Sequence, residues 1–181
     1  MRVITGSARG RRLITLEGDD IVRPTSERVK EALFSIIQFD IEGRKVLDLF
    51  AGCGQLGIEA LSRGAQSVTF VDASRKSIDV VKKNLQNCGF SASVVQSDSL
   101  AYLARCSERF DIAILDPPYA SGLLCKALES TARVMNPGGV VLCESPLGLE
   151  MPEQAGEFRL RRTYRHGKTV LSLYRHQDSE A

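Results

Sequence analysis

Along the chain, short runs of apolar residues alternate with longer segments in which apolar residues return every three or four positions, the mark of strands alternating with amphipathic helices. Residues 45–49, 67–72, 92–96, 110–115 and 140–143 are the strand-like runs. Residues 75–87 form the clearest helix, with Ile78, Val81 and Leu85 along one side. Further helices are predicted up to Ser62, over 99–105 and over 123–134, and Asn136-Pro137-Gly138-Gly139 separates the last of them from the strand at 140–143. Ahead of this series, 2–5 and 12–15 read as a hairpin joined by Gly6-Ser7-Ala8-Arg9-Gly10. A helix over 26–37 follows, with Val29, Leu33, Ile36 and Ile37 as its apolar stripe, Thr25 or Ser26 as its cap and Glu27 at the positive end of its dipole. Residues 158–164 and 169–175, joined around His166-Gly167-Lys168, close the chain as a second hairpin. The pattern describes an α/β fold, a doubly wound sheet with an antiparallel strand at one side. Residues 1–40 are expected to be a small extension and 41–181 the main domain.

Composition narrows the class. A chain of 181 residues with 43% hydrophobic content buries one sizeable core. It has no apolar run of membrane-spanning length, and its first residues lack the apolar segment and cleavage site of a signal peptide, so a cytoplasmic protein is expected. Five cysteines without a Cys-x-x-Cys suit reduced thiols, and His166 and His176 alone give no credible zinc ligand set, so no metal is expected. The net charge of +2 is unevenly spread: residues 1–30 carry +3, residues 159–175 carry +6, and the rest carries −7. A basic head and tail around an acidic middle suit a polyanion held beside a site that binds something else, although solvated charged faces give the same tally.

Two stretches carry chemistry. The first is Phe110-Asp-Ile-Ala-Ile-Leu-Asp116-Pro117-Pro118-Tyr119, a buried strand that stops at a carboxylate and a stiff double-proline turn. At the carboxyl edge of an open α/β sheet, where ligands bind, such a turn offers an acid, carbonyls without competing amide hydrogens and an aromatic ring. That set suits a flat, amine-bearing substrate such as a nucleobase. The second is Gly52-x-Gly54-x-x-Gly57 after the strand at 45–49, with Asp72 fifteen residues beyond the last glycine. Taken literally it is a dinucleotide fingerprint. Asp48, four residues before the first glycine, argues otherwise: a carboxylate there repels a pyrophosphate but suits the ammonium and sulfonium of S-adenosylmethionine. Asp48 and the loop with Gly52, Gly54 and Gly57 are expected near the methionine part, Asp72 on the ribose hydroxyls and Asp98 near the adenine amine, with Phe50, Ala51, Ala73, Ser99 and Asp116 as further cofactor contacts. For Asp98, a helix N-cap is an equally simple role.

The signatures Arg23-Pro24-Thr25, Asp48-Leu49-Phe50-Ala51-Gly52-Cys53-Gly54, the 56–65 segment Leu-Gly-Ile-Glu-Ala-Leu-Ser-Arg-Gly-Ala, Asp116-Pro117-Pro118-Tyr119 and Gly167-Lys168-Thr169 resemble the RsmD-type methyltransferases of bacterial small-subunit ribosomal RNA. The resemblance runs nearly end to end. It implies a class I, Rossmann-like fold with a mostly parallel seven-stranded sheet, use of S-adenosylmethionine with S-adenosylhomocysteine as product, and methylation of N2 of a guanine, position 966 of 16S RNA, in an assembled or assembling subunit. A monomer is expected. Ser7, Gln55 and Asp72 depart from the family pattern, where glycine, a small residue and glutamate are usual.

In the mechanism these residues suggest, Asp116 and the carbonyl of Pro117 accept hydrogen bonds from the guanine amine and favour the pyramidal nitrogen that attacks in line, with Pro118 stiffening the turn. Asp116 is either the acceptor of the departing proton as well or a hydrogen-bond acceptor alone, since an ionised carboxylate is a weak base. Tyr119 stacks on the extruded base. Arg9, Arg11, Arg12 and Arg23 hold RNA phosphates, and Arg161, Arg162 and Arg165 either extend that track or protect a sheet edge. The alternatives are an amine methyltransferase acting on adenine N6 or on protein glutamine, an RNA-binding assembly protein without catalysis and, more distantly, a dehydrogenase.

Overall fold

A computed structural model describes residues 1–16, 26–119 and 122–178. Five helices and eight strands are present among them: α1 Glu27–Ile36, β1 Lys45–Asp48, α2 Gln55–Ser62, β2 Ser67–Asp72, α3 Arg75–Cys88, β3 Ser93–Gln96, α4 Ser99–Arg105, β4 Phe110–Leu115, α5 Leu124–Ala132, β5 Met135–Pro146, β6 Gln154–Ala155, β7 Phe158–His166 and β8 Thr169–His176. All eight strands join one sheet in the order β3-β2-β1-β4-β5-β8-β7-β6. The first five are parallel, and β8 enters antiparallel beside β5. This is the doubly wound architecture that the alternating pattern predicts, with one strand more than the expected seven. The extra strand, β6, has only two residues and pairs with the start of β7, too short to leave a periodic signal.

Successive residues of a strand face opposite sides of a sheet, and here both sides are covered. Val46, Ile112, Ile114, Val140 and Leu142 point into a layer made by α1, α2, α3 and the N-terminal segment. Leu47, Ala113, Leu115, Val141 and Cys143 point into a second layer with α4 and α5. Val3, Ala8 and Leu13 of the N-terminal segment and Val29, Leu33, Phe34 and Ile37 at α1 lie in the same hydrophobic cluster as Val46, Phe70 and Ile114 of the sheet.

Three sequence expectations change. The expected hairpin of 2–5 and 12–15 is a short one, with a single antiparallel bridge, Arg2 with Arg12, flanked by bonds from Val3 N to Arg11 O at 2.9 Å and Leu13 N to Met1 O at 3.0 Å, and bonds to α2 and α3 fasten it further. The Asn136-Pro137-Gly138-Gly139 stretch does not end before a new strand; it is a bulge within β5, since Met135 already pairs with Phe110 and Val140 resumes with Ile112. The buried stripe at α1 includes Lys30 and Phe34, while Ile36 is half-buried. Ser26 caps α1, its Oγ accepting from Val29 N at 3.3 Å; the alternative cap, Thr25, lies outside the described residues.

Lys30 is buried because the N-terminal segment needs it. Its Nζ donates to Arg2 O at 2.6 Å and lies 3.5 Å from Glu59 Oε2 on α2. Glu59 in turn accepts from Ile4 N (2.8 Å), Thr5 N (3.0 Å) and Arg63 Nε (2.9 Å). Ser62 Oγ donates to Thr5 O at 2.6 Å and accepts from Ala8 N at 2.9 Å. Asn84 on α3 donates through Nδ2 to Ile14 O and Cys53 O, both at 2.9 Å, and accepts from Ile14 N at 2.8 Å. The far side of the sheet is tied back by Arg175 of β8, whose two terminal nitrogens donate to Asp40 at 3.1 and 2.7 Å.

Candidate active site

Parallel register brings the acids to one edge. Asp48 is level with Phe70 and Ile114, so Asp72 and Asp116 emerge two residues further along on either side of it. Asp116 follows Leu115, which pairs with Cys143, and Glu144 therefore stands beside it on β5. Four strands thus end in, carry near their carboxyl ends or lead directly into an acidic side chain.

Asp48 is 1% exposed. Its Oδ2 accepts from Gly57 N at 2.9 Å, in the first turn of α2. Gly54, the N-cap, has no side chain to satisfy that turn and sits at φ +80°, a left-handed conformation that favours glycine, so the carboxylate from β1 supplies the cap. At Gly57 the requirement is space: a Cβ would lie 2.3 Å from the Phe70 ring, so a side chain would force α2 off β2. Burial pushes the Asp48 carboxyl up to about 7; the Gly57 amide opposes this, and the charges of Asp116 and Asp72 add to it.

Asp72 organises the glycine loop, its Oδ2 accepting from Gly52 N and its Oδ1 from Ser74 N, both at 2.8 Å. Half-buried, it keeps accepting capacity on both oxygens. Phe50 and Gly52 are half-buried, Ala51 is buried and Ala73 is exposed beside Asp72. Asp98 is exposed and caps α4, its Oδ1 accepting from Ala101 N at 2.9 Å, with Ser99 buried behind it.

Asp116 is half-buried, Pro117 buried and Pro118 exposed. Tyr119, 45% exposed, is held by its hydroxyl, which donates to Glu144 Oε1 at 3.1 Å and lies 3.1 Å from Thr169 Oγ1. Burial pushes that phenol up to about 12; the Thr169 hydrogen bond opposes the rise and the Glu144 charge reinforces it. Glu144, 5% exposed, was missed by sequence reasoning, although it follows the apolar run 140–143 as Asp48, Asp72 and Asp116 follow or close theirs. Thr169 appeared there only as part of a signature.

The arginines divide. Arg9, Arg11 and Arg12 are exposed on the N-terminal segment, whose turn is fastened to Ser62 at the carboxyl end of α2, the end away from the glycine loop. A cleft of about 480 Å³ between Thr5, Gly6 and Ser7 and the Ser62–Gly64 turn lies at that same end. Arg23 lies outside the described residues. On β7, Arg161 donates to the carbonyls of His176 and Gln177, Arg162 stacks on Tyr164 at 5.2 Å, and a bulge falls at Arg161. Those contacts suit a protected edge. Among the described residues, no group of three His, Cys, Asp or Glu gathers as metal ligands, and no helix is long and apolar enough to cross a membrane.

Known proteins resemble this chain in sequence and in fold. The family model described as Conserved hypothetical protein 95 matches residues 1–175. "Ribosomal RNA small subunit methyltransferase D" of Haemophilus influenzae is 41% identical over 71% of this chain and 69% of its own length. The solved structure of the Escherichia coli protein yhhF superposes with a TM-score of 0.87 at 32% identity, covering 97% of each chain. The Thermus thermophilus 16S rRNA N2 G1207 methyltransferase RsmC, solved with AdoMet and guanosine, superposes with a TM-score of 0.68 at 26% identity over 88% of this chain and 44% of its own. The sheet is a class I, Rossmann-like methyltransferase fold, and the chain belongs to the Conserved hypothetical protein 95 family, that of the RsmD-type methyltransferases.

Proposed function

We propose that this protein transfers a methyl group from S-adenosylmethionine to N2 of a guanine in 16S ribosomal RNA, at position 966 as the family resemblance implies, within a small subunit or its assembly intermediate in the cytoplasm. The observation that carries the cofactor assignment is Asp48, a buried carboxylate held by one backbone amide and raised further by two neighbouring acids. Burying a cation beside it restores its ionisation, whereas a pyrophosphate adds charge of the wrong sign. Asp72, beside the positive-φ glycine at position 52, suits ribose hydroxyls, and Asp98 with Ser99 opens the adenine end. The relative solved with AdoMet and guanosine supports the same pairing of cofactor and base.

When bound, the cofactor supplies an electrophilic methyl on a sulfonium. The chain supplies position. Asp116 and the carbonyl of Pro117, which has no amide hydrogen of its own to compete, accept from the guanine amine and turn its lone pair out of the ring plane. Tyr119, fixed at its hydroxyl, presents its ring to the extruded base. The exposed Arg9, Arg11 and Arg12 take up phosphates at a distance from the site, positioning the RNA without reading its sequence. Those arginines favour RNA over a protein glutamine as substrate. Labelled S-adenosylmethionine supplied with undermethylated small subunits should place the label on one guanine as N2-methylguanine. Label on adenine, on protein or nowhere would overturn the reading.

A further inference from the structure

Glu144 enters the chemistry above only through the Tyr119 hydroxyl that it holds, yet it lines the cleft at the Asp-Pro-Pro-Tyr turn. Its neighbours there are Pro117, Tyr119, Leu124, Pro146 and Leu149, so the acid stands in largely apolar walls. It is 5% exposed and occupies the position on β5 beside Asp116 on β4. Neighbouring strands are about 4.8 Å apart, so two carboxylates side by side span a short row of donors. Oε1 receives the Tyr119 hydroxyl. A carboxylate accepts several hydrogen bonds, and one from a tyrosine leaves capacity for another. A base stacked on Tyr119 with its amine at Asp116 brings the next group along its pairing edge toward Glu144. On guanine that neighbour is N1–H, a donor. On adenine it is N1, an acceptor, which a carboxylate repels.

Resting on the proposed guanine-N2 chemistry, we infer that Glu144 is a specificity-determining residue: it accepts the N1–H of the target guanine while holding the Tyr119 hydroxyl, and so admits guanine and rejects adenine. A hydrogen bond to a charged acceptor in a desolvated site is worth enough to change kcat/KM by about 100-fold.

The test is a cycle between enzyme and substrate. Wild type, Glu144→Ala, Glu144→Gln and Tyr119→Phe are assayed on small-subunit RNA carrying either guanosine or 1-methylguanosine at the position that the wild type methylates. On guanosine, Glu144→Ala and Glu144→Gln should each lose about 100-fold in kcat/KM while keeping S-adenosylmethionine affinity within about twofold; Tyr119→Phe should lose less than about 10-fold. On 1-methylguanosine the wild type should fall about as far, and Glu144→Ala should fall no further than it already has. Full additivity of the two changes would overturn the assignment. So would Glu144 variants no worse than Tyr119→Phe, which would reduce the residue to a clamp for the ring. Wild-type product mapping reports separately on the parent proposal, because a missing N2-methylguanine refutes that chemistry, whereas N2-methylguanine formed equally well by Glu144→Ala refutes only the role of Glu144.

Discussion

Asp48 and Glu59 are both fully buried acids attached to α2, and they live in opposite surroundings. Glu59, at the seam with the N-terminal segment, has a lysine at 3.5 Å, an arginine at 2.9 Å and two backbone amides within 3.0 Å. Asp48, at the mouth, has one amide and two more acids nearby. The first site is complete within the chain; the second is one that the cation of the proposed cofactor would complete. Burial alone therefore says little about what an acid does, and its partners say most of it. Removing Glu59 should have the larger effect. Glu59→Ala leaves Lys30 buried without its counter-charge and the amides of Ile4 and Thr5 without an acceptor, so a loss of about 3–5 kcal/mol is expected in urea unfolding. The N-terminal segment should also become the first site of proteolysis. A loss below about 1 kcal/mol would mean that the seam is held by its apolar contacts instead.

At the mouth the sign reverses. The Asp48 carboxyl is raised from its ordinary 3.8 to about 7 in the fold, so on titration upward the unfolded chain loses this proton first. Its contribution to stability is intact below about pH 4, drains away between pH 4 and 7 and is then level, a change of about 4 kcal/mol. Asp48→Asn should accordingly stabilise the cofactor-free protein by about 3 kcal/mol at pH 8 and flatten that slope in thermal melts, while weakening S-adenosylmethionine binding more than about 100-fold. A variant that is less stable at pH 8 would show that the charged form is already compensated. A smaller effect follows from the same acid: below pH 7 a bound sulfonium draws Asp48 into its ionised form, so binding should release a fraction of a proton, read as different calorimetric heats in buffers of different ionisation enthalpy. Proton uptake would place another group in control.

The mouth was largely legible in the sequence because its devices are local. A carboxylate after an apolar run, glycines at a strand–helix turn and a double proline each declare themselves within a few residues, and β2 and α4 have the predicted bounds. The seam was not legible, since Lys30, Glu59 and Asn84 are polar residues on helices whose burial depends on contacts 28 to 70 residues away. Lys30 interrupts the expected stripe of α1, and nothing local distinguishes it from a solvated lysine. The β5 bulge escaped for a related reason: Pro137 and Gly138 resemble a terminator, and only the pairing of Met135 with Phe110 shows the strand already under way. Glu144 had the same local signal as the other acids, and a consistent reading of strand ends would have found it.

The smallest effect asks whether seam and mouth work independently. Arg11 and Arg12 project from the segment that Glu59 fastens; they are exposed, and the bonds in which they hold the segment run through their backbone, which a change to Ala leaves in place. Replacing both by Ala should leave urea stability and S-adenosylmethionine affinity unchanged, because neither side chain touches the acids at the mouth. It should weaken RNA binding and reduce the slope of log affinity against log salt by about 1.5, near 0.7 for each phosphate contact on single-stranded RNA. An unchanged slope would send the RNA past another face of the molecule. A changed cofactor affinity would mean that the two regions communicate through α2, which touches the N-terminal segment at Glu59 and Ser62 and Asp48 of β1 at Gly57.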